Sequence, residues 1–180
     1  MIQKAIISVV VALLLTFALL GVFIVMQPDE FTVTRKATIA APPERIFPEI
    51  NDFHKWDAWS PWAKLDPNMK VEITGPESGK GASYYWTGNQ EVGEGRMTIT
   101  ESVPPNLVKI DLHFIKPFDS ASTIDIKVTP EGANSEVEWS MKGKHNFMSK
   151  AFSLFVNMDN AIGADFERGL TQLKAVAEKP

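Results

Sequence analysis

The sequence predicts an α+β fold: a curved antiparallel sheet of about seven strands around one long C-terminal helix, with two short helices after the first strand and a transmembrane helix at the N-terminus. Three observations carry this. Residues 5–26 form an apolar run of 22 positions interrupted only by Ser8, Thr16 and Gly21. Between Phe31 and Met141, stretches of period-two alternation follow one another at hairpin spacing. From Met148 to Glu178 the chain holds no proline and repeats apolar residues at spacings of three and four.

The apolar run comes first. Its 22 positions span roughly 33 Å as a helix, enough for a hydrocarbon core of about 30 Å. A cleaved secretory signal is the alternative, but its apolar region is shorter, roughly 7–15 residues, and ends in a small-x-small site. Here the run closes on LGVFIVMQ, with bulky Val, Phe, Ile and Met. The reading is therefore an uncleaved anchor over residues 1–28 followed by a single domain over 31–180. Lys4 precedes the span, whereas Asp29 and Glu30 follow it. The positive-inside rule then places the N-terminus in the cytoplasm and the domain on the outer side.

Beyond the span the chain carries 18 − 1 = 17 basic and 22 acidic side chains, a balance of −5, without a basic run. That argues against nucleic acid as a partner and against a polybasic grip on anionic lipid. Cysteine is absent, which excludes a disulfide framework, a thiol nucleophile and a thiolate metal site. Protein partners leave no sequence signal.

In order along the domain, FTVTRKATI (31–39) alternates Phe31, Val33, Ala37 and Ile39 against polar neighbours, as a half-buried strand does. Pro42, Pro43 and Glu44 then open a short helix reaching about Asn51, kinked or shortened by Pro48. The segment NDFHKWDAWSPW brings Trp56, Trp59 and Trp62 close together. Pro61 disfavours helical geometry at Ser60, so Trp56 and Trp59 share one face of a short helix and Trp62 follows in turning chain. Six further strands are expected around 69–74, 81–87, 93–103, 107–115, 121–129 and 135–142, separated by turn sequences such as GNQEVG, VPPN and PEGAN. The final segment reads as one amphipathic helix of roughly eight turns. Gly163 and Gly169 interrupt it, each at a cost of about 1 kcal/mol against Ala, a cost that close approach to a sheet would offset.

Motifs that carry chemistry are scarce. GPESGKG (75–81) has its first two glycines one residue too close for a phosphate loop, and Gly81 stands where Ser or Thr would hold magnesium. GEGRMT (93–98) lacks the third glycine of a dinucleotide loop. His54, His113 and His145 show no paired ligand spacing, so neither a metal nor another cofactor is expected. Ser60, Ser83 and Ser140 sit in no nucleophile motif.

ATIAAPPERIFPEINDFHKWDAWSPW, GEGRMTITESVPPNLVKIDLHFIKPF, VEWSMKGKHNFM and IGADFERGLTQLK occur in the order of the START-like helix-grip superfamily (SRPBCC), the polyketide cyclases, dehydrases and lipid-transport proteins. The chain resembles that superfamily from about Phe31 to Glu178. The resemblance implies a sheet wrapped round the long helix with a hydrophobic cavity between them. It implies no shared catalytic set.

The residues expected to line such a cavity are Trp56, Trp59, Tyr84, Trp86, Met97, Ile99, Phe114, Trp139, Phe152, Phe155 and Ile162. Each taken singly is also an ordinary core residue; their aromatic and methionine content together suits a ligand site. Asp159 occupies the apolar seam between Phe155 and Ile162, where a cavity-facing carboxylate with a raised pKa would serve as a general base, or where helix rotation would leave it wet at the rim. Glu101, in phase with Met97 and Ile99, has the same two readings. Three functions compete: membrane-tethered, non-catalytic binding of a hydrophobic small molecule or lipid; a cyclase or dehydrase type of enzyme using Asp159; and an interaction domain with a filled core. The missing catalytic signature favours the first.

Overall fold

The computed structural model describes residues 2–145, 149–151, 154 and 157–179. Helix α1 (Ile2–Val25) is followed by strand β1 (Glu30–Ile39), helix α2 (Pro43–Asn51) and a 3-10 helix (Phe53–Ala58). Six strands come next: β2 (Lys70–Thr74), β3 (Ser83–Thr87), β4 (Glu94–Val103), β5 (Leu107–Lys116), β6 (Ser120–Glu131) and β7 (Asn134–Lys144). Helix α3 (Met158–Ala177) closes the chain. All seven strands form one antiparallel sheet in the order β1-β7-β6-β5-β4-β3-β2.

Helix α1 is apolar on every side, with Phe17, Leu19 and Val25 all exposed. Its backbone covers 24 residues, and uninterrupted described side chains run from Val10 to Val25. Among the described residues no helix is long and apolar enough to cross a membrane. Among the described residues of α1, Ile24 alone is buried. At its end Lys150 Nζ donates to the Val25 carbonyl (3.2 Å) and meets Asp29 Oδ1 (2.5 Å).

Two of the three indoles explain how α2 ends. A helix leaves its last carbonyls without partners. Trp59 Nε1 donates to Glu49 O at 3.0 Å, Trp56 Nε1 to Ile50 O at 3.2 Å, and Gly79 N to Asn51 O at 2.9 Å. Because a 3-10 helix repeats every three residues, Trp56 and Trp59 eclipse each other, with ring centroids 4.7 Å apart.

The long C-terminal helix is shorter than its periodicity suggests. Asn157 adopts extended backbone and its side chain accepts from Asn160 N at 3.1 Å, a cap that starts α3 at Met158. The expected helical stretch from Met148 onward falls partly on residues outside those described. Helix α3 lies along β1 and is pinned at both ends. Arg35 reaches Asp159 and Glu167 at one end, and Lys174 Nζ donates to Thr38 O while Ala40 N donates to Glu178 at the other. The two glycines sit where the packing demands them. A Cβ on Gly169 would lie 2.7 Å from the Trp139 ring and 3.1 Å from Pro61, and one on Gly163 would strike the Arg35 guanidinium.

The core divides into halves along the strands. Toward the β6–β7 turn, α2 packs against β5 and β6, and Ile46, Ile50, Ile99, Ile110, Ile126 and Val137 are almost wholly buried. The opposite half, where β1 begins and β7 ends, is where space remains.

Candidate functional site

That space is a cavity of about 540 Å³ between the sheet and α3. Its wall is built from inward-facing alternate residues. Tyr84 and Trp86 come from β3, Met97 from β4, Leu112 and Phe114 from β5, Ser122 and Ile124 from β6, Trp139 and Met141 from β7, and Phe31 from β1. Ile162 and Phe166 of α3 close the top, and Trp56, Trp62 and Met69 close the side. The apolar wall is cross-braced by rings. Trp139 stacks on Phe166 (4.3 Å, 10°), Trp62 stands edge-on to Trp139 (6.0 Å), and Trp86 does so to Phe114 (5.8 Å). Gly95 is the residue that lets the Trp86 ring lie flat over β4, since a Cβ there would overlap it.

Seven of the residues expected at the cavity are in its wall: Trp56, Tyr84, Trp86, Met97, Phe114, Trp139 and Ile162. Two are placed elsewhere. Trp59 is fully buried against Trp139 and serves as a cap for α2, and Ile99 is fully buried outside the wall. Phe152 and Phe155 fall outside the described residues.

Asp159 follows the second of its two readings, at the rim. Its side chain is 54% exposed, stands outside the cavity wall and pairs with Arg35 at 3.1 Å. The hydrogen bond from Arg35 holds its carboxyl below the ordinary carboxylate value, the reverse of what a general base requires. The Asn157 cap places it in the first turn of α3, over the Arg35 head group. Glu101 is likewise turned out by the register shift beside Ile99 and pairs with Lys109 at 2.8 Å.

Sequence reasoning missed the polar groups of the site. Asp57, Ser60 and Asp165 stand at one side, and Lys116, Ser120, Lys144 and His145 at the sheet end. Asp57 is exposed, and Asp165 pairs with Arg168. Tyr84 is pushed up from its ordinary pKa by burial and then by the Asp57 charge. Lys116 Nζ meets Glu94 at 2.6 Å, a bond that raises the lysine and lowers the acid. His145 packs on Phe31 (5.0 Å) and has a buried Nδ1 without a hydrogen-bond partner. Trp139 Nε1 is in the same position. Among the described residues no group of three or more acidic or histidine side chains could hold a metal ion.

The sequence profile of the polyketide cyclase/dehydrase and lipid transport family matches residues 30–178, most of the chain. The chain belongs to this family. Solved structures agree at the level of fold. A structural-genomics protein from Chromobacterium violaceum aligns with a TM-score of 0.61 at 14% identity, covering 83% of this chain and 98% of its own. A protein of unknown function from Staphylococcus aureus aligns at 0.64 and 12% identity, covering 84% and 96%. The Aha1 dimer structure from Colwellia psychrerythraea aligns at 0.59 and 15%, covering 82% and 96%. No curated protein matches the sequence.

Proposed function

We propose that this family member is a membrane-tethered, non-catalytic domain that binds a hydrophobic small molecule or lipid in the cavity between sheet and α3. The observation that carries the reading is the cavity itself. About 540 Å³ of space is walled mainly by Trp, Phe, Tyr, Met and Leu side chains, with a few polar groups, Ser122 among them, which is the make-up of a small-molecule site. The acids beside it are exposed or ion-paired, and the two acids considered as bases, Asp159 and Glu101, stand outside the wall in ion pairs. The tether is α1, whose all-round apolar surface and 24-residue backbone suit a bilayer better than water. On the charge pattern around it, the N-terminus is cytoplasmic and the domain lies on the outer side.

The test is native mass spectrometry of the full chain released from detergent micelles, beside the variant Met97→Trp. The larger ring occupies the cavity, where Met97 is half-buried. The expected result is an apolar adduct on the wild type that the variant lacks. Absence of any adduct, together with failure of the wild type to take up an apolar fluorescent probe, would leave the cavity without a binding role.

A further inference from the structure

The cavity lies at one end of the sheet, and the register identifies that end. Phe31 of β1 and Ser122 of β6 are both partners of Gly143, and Glu30 is the partner of Lys144. Ser120 is therefore level with His145, whose backbone N donates to Asp29 O at 2.8 Å. The turn joining β5 to β6, residues 117–119, projects beyond this line to the level of residues 26–28, the linker that follows α1. That linker of four residues, Met26–Asp29, reaches at most about 14 Å. Three strand spacings separate β1 from β5 in the sheet order, about 14 Å across. Turn, cavity edge and the end of α1 thus occupy one small face of the molecule.

Phe118 stands at the tip of that turn with 69% of its surface exposed, the most exposed large apolar side chain described outside α1 and its linker. Lys116 and Asp119 flank it, both strongly exposed, and Lys116, Pro117, Phe118, Lys144 and His145 all border the cavity. An apolar ring with the long amphipathic cations Lys116 and Lys144 at the same edge is what the headgroup layer of a bilayer accommodates: the ring enters the acyl boundary while the ammonium groups stay in the polar layer.

We propose that the β5–β6 turn dips Phe118 into the interface of the same bilayer that holds α1, so that the cavity exchanges its ligand directly with the lipid surface and not through water. This rests on the reading of α1 as the anchor and specifies where the cavity opens. The position of α1 sets the partner: a turn held level with the linker by the strand register meets the membrane before any other surface.

The chain has no cysteine, so Phe118→Cys and Ala133→Cys each accept a single environment-sensitive fluorophore. Ala133 lies in the β6–β7 turn at the far end of the sheet. Full-length protein is reconstituted into phosphatidylcholine vesicles containing some phosphatidylglycerol. Flotation comes first: a chain that does not float loses the anchor and this inference together. For a chain that floats, a blue-shifted emission at position 118, quenched by lipid-borne nitroxide and shielded from iodide, with the opposite pattern at 133, is the expected result. Equal access of iodide to both positions overturns the inference while leaving the anchor and the binding cavity standing.

Discussion

The Trp139 indole is 1% exposed, lies flat on Phe166, and has an Nε1 without an acceptor. Trp59, equally buried and 5.4 Å away, spends its Nε1 on the last turn of α2. The two residues look alike in sequence and differ in what a phenylalanine would remove. At 139 the exchange discards an unsatisfied donor; at 59 it strands the Glu49 carbonyl, a loss of about 1–3 kcal/mol. Trp59→Phe is therefore expected to lower stability more than Trp139→Phe by about 1–2 kcal/mol in denaturant titrations, and equal losses would mean that Trp139 has a solvent partner. His145 supplies a second prediction. Burial first, and the Lys150 ammonium second, hold its imidazole below the ordinary value. Above about pH 6.5 folded and unfolded chains both carry it neutral. As pH falls past that point the unfolded chain takes the proton first, so stability is lost down to the folded pKa and is level below it. Between about pH 7.5 and about pH 5 the wild type should lose melting temperature relative to His145→Gln, whereas parallel curves would show an imidazole that titrates freely. Residue roles were the least legible part of the sequence. Spacing placed Trp56 and Trp59 on one face, but that both cap α2 and only Trp56 also walls the cavity depends on where α2 stops, a tertiary fact.

At the scale of elements, alternation was a dependable guide because one face of every strand but the edge strand β2 meets α2, α3 or the cavity. The expected strands differ from β2–β7 by a residue or two at most of their ends. Of the two readings of Glu101 the outward one holds, because a bulge beside Ile99 breaks its phase with Met97 and Ile99. The start of the terminal helix escaped because periodicity continues through Asn157, and only the side-chain cap marks the boundary. The glycines of α3 were legible as an anomaly, and the structure supplies the reason. Alanine in a helix interior gains about 1 kcal/mol over glycine, but at 169 its Cβ would press on Trp139 and Pro61, rigid groups with nowhere to go. Gly169→Ala should thus destabilise by about 1–3 kcal/mol, the range for an overpacked core. A gain in melting temperature would show that α3 can lift from β7 without penalty. At Gly163 the obstacle is the end of the Arg35 side chain, which can move, but only by leaving Asp159 and Glu167. The contrast between a rigid and a displaceable neighbour separates the two sites.

For the whole molecule, the sheet order follows from short hairpins that lay β2 to β7 side by side, with β1 returning to the free edge of β7. Composition and the order of motifs carried that much. The size and position of the cavity could not be read in advance, because they are the remainder left when α2 fills one half of the concave face and α3 spans the other. The same division determines how the two parts of the chain should behave when separated. Among the described residues, the buried apolar side chains other than Ile24 lie between Val33 and Ala177, and Lys150 donates to Val25 O at the end of α1. Asp29, which Lys150 also holds, belongs to the linker and stays with the domain. A chain beginning at Pro28 is therefore expected to be soluble without detergent and to unfold cooperatively at a melting temperature within a few degrees of the full-length domain, about the shift that loss of one hydrogen bond produces. The full chain should remain in the pellet after alkaline carbonate washing, with the domain open to protease from the outer side alone. Aggregation or loss of cooperative unfolding in the shortened chain would mean that α1 is part of the domain's core and not a tether. Release of the full chain by carbonate would remove the membrane from the account, and digestion from the cytoplasmic side would invert its orientation.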